Sequence, residues 1–383
     1  MNRYCLPALA LLSLAASMTA CRDEEVIFIP ETVPVADPVF SDISGFYLLN
    51  EGNMGSNKAT LDYFDYATGE YRRNIFADVN PDVPKEMGDV GNDLQIYGSR
   101  MYAVINCSNK IEVMEAATAR RIGQVDIPNV RYIAFHEGYA YATSYAGPVQ
   151  INPDYEQLGY VAKIDTATMQ VVDRCLVGFQ PDQLEILDGK IYVANSGGYM
   201  VPNYENTVSV IDLGSFTVTE TIPIAINLHR IKADSKGCLW ITSRGDYYDT
   251  DAALYCYDTR KRRLVKKLDV PVSSMDLVGD SLYVVSTQWS YVSMSNQITY
   301  GIVDVNTMEK VTDNFITDGT ESKIKIPYMV KVNPLTKEIF VSDARNYVNP
   351  GYLHCYSPEG VLKWSVRTGD IPAHLAFLGK LKP

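Results

Sequence analysis

Six segments concentrate the side chains best suited to holding a ligand without covalent chemistry. They are 50-NEGNMGSN, 144-SYAGPVQINPDYEQLG, 195-NSGGYMVPNYEN, 243-SRGDYYDTD, 287-TQWSYVSMSN and 343-DARNYVNPG. Together they are rich in Tyr, Trp, Asn, Gly and Arg. Aromatic side chains offer large contact area at small rotamer cost, and Asn and Arg supply directed hydrogen bonds. The candidates for contact are Tyr145, Tyr199, Tyr204, Arg244, Tyr247, Tyr248, Trp289, Tyr291, Arg345 and Tyr347. A second set, Asn92, Arg131, Gln180, His229, Arg230, Tyr328 and His374, stands at or near the start of short apolar runs. No H-E-x-x-H, G-x-S-x-G or phosphate-loop motif accompanies them, so nothing in the sequence points to those catalytic chemistries.

The elements that carry these segments repeat. An apolar strand bearing an aromatic recurs seven times, at Tyr47, Tyr102, Tyr141, Tyr192, Trp240, Tyr283 and Phe340. The mean spacing is about 49 residues, in the range of stacked structural repeats. Each copy is followed by strand, polar turn, strand, as in 161-VAKIDTATMQV and 208-VSVIDLGSFTV, and most are preceded by a short run such as 182-DQLEILDG. Repeats built only of short strands and turns predict an all-β fold, a seven-bladed β-propeller with four strands per blade. The copy at Tyr47 lacks a preceding run, and 373-AHLAFLG lacks a following aromatic strand. The C-terminal strand therefore pairs into the first blade and closes the ring, which removes the open edges. Alternate turns then share a face. The six long segments fall on one face, and Gly98-Ser99, Asp188-Gly189 and Gly279-Asp280 make short turns on the other. The second set of residues rings the channel mouth on the long-loop face. A metal held over the axis, as in some propeller hydrolases, would draw on Asp93, Asp182, His229 and His374. Strand-end polar groups near a channel more often bond backbone, so the expectation is no metal and no catalysis.

With net charge −12 and pI ≈ 4.9, the chain has no electrostatic footprint for nucleic acid. Residues 1–20 read as a secretory signal peptide, with Arg3 ahead of a mostly apolar stretch and small or unbranched residues up to Ala20. Cys21 stands at the cleavage point. Residues 21–42 read as a flexible, Pro-rich linker, spanning up to about 3.3 Å per residue, and residues 43–383 as the propeller. Cys107, Cys175, Cys238, Cys256 and Cys355 form no C-x-x-C pair and are odd in number, which points to buried free thiols.

The repeats, such as 188-DGKIYVANSGG followed by 208-VSVIDLGSFTV, resemble those of YncE-like seven-bladed propellers. Cys21 with its preceding residues resembles a bacterial lipobox, with Met18 where Leu is usual, and the resemblance implies a lipidated Cys21. Ordinary cleavage near Ala20 would instead leave that thiol free. The acidic run Arg22-Asp23-Glu24-Glu25 resembles the export signal of Bacteroidota surface lipoproteins. With 46-FYLLNEGNMGSNKATLDYFD and the Tyr-rich loops, the whole looks like the BtuG-type lipoproteins of gut Bacteroidota. That resemblance implies an outer-membrane location facing the cell exterior, and capture of cobalamin and related corrinoids as ligand rather than cofactor. It also implies delivery to a TonB-dependent transporter of the BtuB type. Tyr and Trp would cover the apolar edges of the corrinoid, and Asn, Gln and Arg would bond its amides and phosphate. A glycan-binding lipoprotein and a protein-binding scaffold are the other readings of the same loops. Cys21→Ser in the precursor should abolish lipid attachment. Alanine at Asp23, Glu24 and Glu25 should keep the lipid but reduce cleavage of the protein by protease added to intact cells.

Overall fold

Alternating burial shows how each repeat becomes a blade. The outer strand Thr217–Pro223 is mostly exposed, whereas the aromatic strand Cys238–Ser243 is buried along its whole length. A strand clamped between two neighbouring sheets is buried on both faces and loses the simple in–out alternation of a half-buried strand. The computed structural model describes residues 30–291 and 294–379. Residues 1–20, read as a signal peptide, and Cys21 with the acidic run lie outside the described residues.

Seven antiparallel sheets form the ring. Six have four strands, and the first has five. From the axis outward, blade 1 runs Pro372–Gly379, Ile43–Asn50, Thr60–Asp65, Glu70–Arg73 and Glu31–Pro34. The inner strands of blades 2 to 7 are Gly91–Tyr97, Val130–His136, Pro181–Leu187, Leu228–Ala233, Ser274–Val278 and Pro327–Val332. Closure is as expected: the last strand pairs with the first aromatic strand in a register that sets Phe46 opposite Phe377 and Leu48 opposite Leu375. Two segments differ from the expectation. Glu31–Pro34, read as flexible linker, instead extends blade 1 by pairing with Glu70–Arg73, and Arg73 bonds Glu31 across the pair. The segment 287–296, read as a loop, is a β-hairpin. Strands Ser281–Ser290 and Ser295–Asp304 stay in register without a bulge out to Ser290 opposite Ser295.

The repeat aromatics fill the gaps between blades. Tyr47 packs between blades 1 and 2, Tyr102 between 2 and 3, Tyr141 between 3 and 4, and Tyr192 between 4 and 5. Trp240, Tyr283 and Phe340 continue the series around to blade 1. Each blade thus sends its large side chain toward the next, which explains why the aromatic recurs once per repeat. Cys175, Cys238, Cys256 and Cys355 are buried free thiols in these layers, and Cys107 is half-buried and also free.

At the axis each inner strand has an edge with no strand partner, and in blades 3, 5 and 7 the preceding blade supplies side-chain acceptors for its N–H groups. The backbone N–H of Ile133 donates to Asp93 at 3.1 Å, that of Ile231 to Gln183 at 3.0 Å and that of Val332 to Asp276 at 2.9 Å. An unpaired buried N–H costs about 1–3 kcal/mol, so these contacts demand polar side chains along the channel. Hydroxyls on the aromatic strands bind the following blade: Thr143 donates to the Asp182 carbonyl, Thr287 to that of Pro327 and Ser342 to that of Pro372.

Deleting residues 371–383 should strip blade 1 of its inner strand and expose the edge of Ile43–Asn50. Loss of a single cooperative unfolding transition, followed by denaturant titration, is the expected result. Trp240→Ala, at a fully buried position between blades 5 and 6, should cost about 3–5 kcal/mol in the same assay.

Candidate functional site

The mouth of the channel is built from the first residues of three consecutive inner strands. Arg131 and Tyr132 open that of blade 3, Asp182 that of blade 4, and His229 and Arg230 that of blade 5. Asp182 is the hub. It is fully buried and accepts from the Tyr145 hydroxyl at 2.7 Å and from Arg244 Nη1 at 3.1 Å, with Arg131 Nε at 3.5 Å. Arg131 lies over the Tyr145 ring at 4.6 Å, and Arg230 over the Tyr132 ring at 4.9 Å. Tyr132 in turn meets His229 Nε2 at 3.3 Å. A buried carboxylate is tolerated when hydrogen bonds and opposite charge surround it, and blades 3 and 5, on either side of Asp182, provide both.

Burial holds the imidazoles of His229 and His374 well below the usual histidine range. Arg244, Arg230 and Arg131 push His229 further down, and Arg230 does the same to His374. Across the mouth, burial raises the Glu51 carboxyl above its ordinary value, while Tyr328, which donates to it, and Arg131 and Arg230 oppose the rise. Tyr328 stands edge-on to Tyr347 at 6.0 Å. Between Glu51, Asn92, Arg131 and Tyr199 lies a cavity of about 230 Å³.

A second zone stands at the rim. The blade 6 hairpin carries Trp289 and Tyr291 outward, 39% and 50% exposed. Tyr291 stacks on Tyr248 of blade 5 with centroids 4.9 Å apart and planes 7° from parallel, and Trp289 meets Tyr291 edge-on at 6.4 Å. Tyr248 is 60% exposed. Tyr204 lies near Tyr247 and Tyr248, and burial first, then these neighbours and Asp246, raise its phenol. Tyr247 and Tyr347 hold left-handed backbone at φ 69° and 63°, a conformation that costs bulky side chains of order 1–3 kcal/mol and persists where the surroundings enforce it.

The structure therefore divides the residues singled out from the sequence. Tyr248, Trp289, Tyr291 and Tyr347 are exposed on the long-loop face, with Tyr204 and Tyr247 half-buried beside them. Tyr145 is only 2% exposed and forms a wall around Asp182. Gln180 is buried and accepts from the Tyr199 backbone at 2.7 Å, and Asn92 is buried and donates to the Arg131 carbonyl at 2.6 Å. Those two shape the mouth through the backbone. Arg345 lies 5.7 Å from the Tyr352 ring centre within blade 7. Among the described residues no three His, Cys, Asp or Glu side chains converge as metal ligands. Asp93 accepts from the backbone of Leu94 and Ile133, and Asp182 is engaged as above. Sequence reading did not single out Tyr132 or Glu51. The placing of Tyr132 beside Arg131 at a strand start was the available signal, since Tyr328 occupies a similar strand-start position.

This arrangement defines a seven-bladed propeller that presents a polar, arginine-lined mouth and an aromatic rim on one face. The chain belongs to the family described as Domain of unknown function (DUF5074), which spans residues 44–360. No curated protein matches the sequence. Among solved structures it is similar to a quinonprotein alcohol dehydrogenase-like protein from Bacteroides thetaiotaomicron, at 14% identity and a TM-score of 0.57 over 88% of this chain and 79% of that one. It is also similar to the hydrazine synthase of Kuenenia stuttgartiensis, at 12% identity and a TM-score of 0.56 over 70% of this chain and 77% of that one. A third is the computationally designed Ika8 protein, at 9% identity and a TM-score of 0.52 over 85% of this chain and 89% of that one. These likenesses are of fold.

The neutral imidazoles give a pH signature. Below about pH 6.5 the unfolded chain protonates its histidines, whereas folded His229 resists, so its contribution is present above that pH and is lost as the pH falls. Thermal midpoints between pH 7 and pH 5.5 should therefore fall less in His229→Gln than in the unaltered protein. The raised Glu51 carboxyl acts in the opposite sense in both proteins and drops out of the comparison.

Proposed function

We propose that this protein is a lipid-anchored outer-membrane protein that captures cobalamin or a related corrinoid on its long-loop face and passes it to a TonB-dependent transporter of the BtuB type. The supporting observation is the pairing on one face of the exposed Tyr248–Tyr291–Trp289 cluster with the arginine-lined mouth. A corrinoid is a wide amphipathic disc edged with amides and bearing a phosphate-linked nucleotide loop. Flat aromatic faces suit its apolar edge, and guanidinium and amide groups suit its polar periphery. The lipobox-like Cys21 and the acidic run after it support the surface location. The resemblance of the repeats and of the opening segment to BtuG-type lipoproteins supports the ligand class. No cobalt ligand is needed in this reading, and the propeller acts as a binder rather than an enzyme.

Calorimetric titration with cyanocobalamin tests the reading. Trp289→Ala and Tyr248→Ala should each cost roughly 1–3 kcal/mol of binding, as truncated aromatic anchors do, a loss of about 5- to 150-fold. Asp188→Ala and Asp280→Ala, in turns of the opposite face, should leave affinity unchanged. Absence of cyanocobalamin binding, with binding of a host or dietary glycan instead, would replace the corrinoid by a sugar on the same aromatic cluster.

A further inference from the structure

The net charge of the whole chain is −12, yet its channel mouth collects guanidinium groups. Arg131, Arg230 and Arg244 reach it from blades 3 and 5. Asp182 is a carboxylate that two of them share, through Arg244 Nη1 at 3.1 Å and Arg131 Nε at 3.5 Å. Arg230 rests on the Tyr132 ring and donates Nε to the Ser273 carbonyl at 3.3 Å. Among the described residues no carboxylate lies within ion-pair distance of it, although Glu51 and Asp93 feel its charge. His229, 6% exposed, meets the Tyr132 hydroxyl through Nε2, and its Nδ1 is buried with no hydrogen-bond partner. In the tautomer where Tyr132 donates to Nε2, the proton sits on Nδ1, a buried donor without an acceptor. A donor of that kind beside partly matched guanidiniums is costly unless an acceptor fills the site.

We propose that the channel mouth is an anion seat that takes the phosphate group of a phosphate ester, held by Arg230 and Arg131 with His229. This rests on the reading that the long-loop face binds a ligand, but not on that ligand being a corrinoid. A carboxylate offers two oxygens in one plane, and Asp182 already presents such a group to Arg244 and Arg131. Donors arriving from separate blades match an acceptor with oxygens pointing in several directions, which is the geometry of phosphate. Arg131 also borders the cavity of about 230 Å³ beside Glu51 and Tyr199, which leaves room for the organic part of the ester.

The test uses the purified full-length protein with inorganic phosphate, methyl phosphate and acetate as probes, followed by calorimetry and phosphorus NMR. Saturable binding of both phosphates, weaker binding of acetate, and a loss of about tenfold or more in Arg230→Gln are expected, tenfold being about 1.4 kcal/mol. Arg230→Lys, which keeps the charge but loses the planar fork, should fall between. Thermal melts establish that each variant is folded, and if Arg230→Gln does not fold, Arg230→Lys and probe competition in the unaltered protein decide. The seat is refuted if neither phosphate saturates, if Arg230→Gln and Arg230→Lys bind both as the unaltered protein does, or if acetate binds as tightly. Phosphate that binds as described while cyanocobalamin does not bind would refute the corrinoid reading alone. Cyanocobalamin that binds tightly with no effect of excess phosphate or of Arg230→Gln would refute the seat alone.

Discussion

The innermost strand of every blade meets the axis with one edge unpaired. No further strand fits inside the ring, so the backbone donors there must find side-chain acceptors. Asp93, Gln183, Ser274 and Asp276 serve the blades that follow them, and the price is a channel lined with charge in the middle of an otherwise apolar stack. Lys232 and Lys331 then balance Glu185 and Asp276 farther along the channel. The polar mouth grows from the same requirement. Once strand starts must be polar, residues such as Arg131, Asp182 and Arg230 sit side by side on adjacent blades, and a carboxylate as buried as Asp182 can survive because two guanidiniums and a phenol meet it.

The blades are held to one another by different means at different radii. At the axis the links are hydrogen bonds and ion pairs. At mid-radius they are the large aromatics, each lodged against the next blade, together with hydroxyls such as Thr143 and Ser342 that grip the next inner strand. Closure of the ring lets the series run without a break, since Phe340 of blade 7 packs with Phe46 and Phe377 of blade 1. The fifth strand, Glu31–Pro34, covers the outer edge of blade 1, and the stretch that continues from it, Pro34–Val39, lies at the rim beside blade 7, bordered by Phe64, Tyr66 and Trp364.

The long-loop face carries two kinds of surface. Near the axis, groups are buried, charged and fixed by several partners, which favours a demanding polar contact. At the rim, the blade 6 hairpin and the blade 5 loop hold exposed rings that pack mainly on one another, which favours broad apolar contact. A ligand that spans both zones must be large and amphipathic.

Much of the architecture was legible in the sequence, because a propeller repeats one local instruction. The recurrence of the aromatic strand revealed the blade count, and the missing inner strand before Tyr47, matched by a spare strand at 373-AHLAFLG, revealed the closure. Both follow from strand periodicity, a property of neighbouring residues. The site was legible only as a face. Which loop residues are exposed, as Tyr248 and Trp289 are, and which are walls, as Tyr145 is, depends on contacts between blades whose equivalent residues lie some 40 to 50 positions apart. Asp182 stood out as a polar strand start, but its partners Arg131, Tyr145 and Arg244 come from the blades on either side of it. The 287–296 hairpin and the Glu31–Pro34 strand were hidden for a related reason. Polar strands at a rim carry no apolar pattern, and only pairing with an existing edge makes them strands.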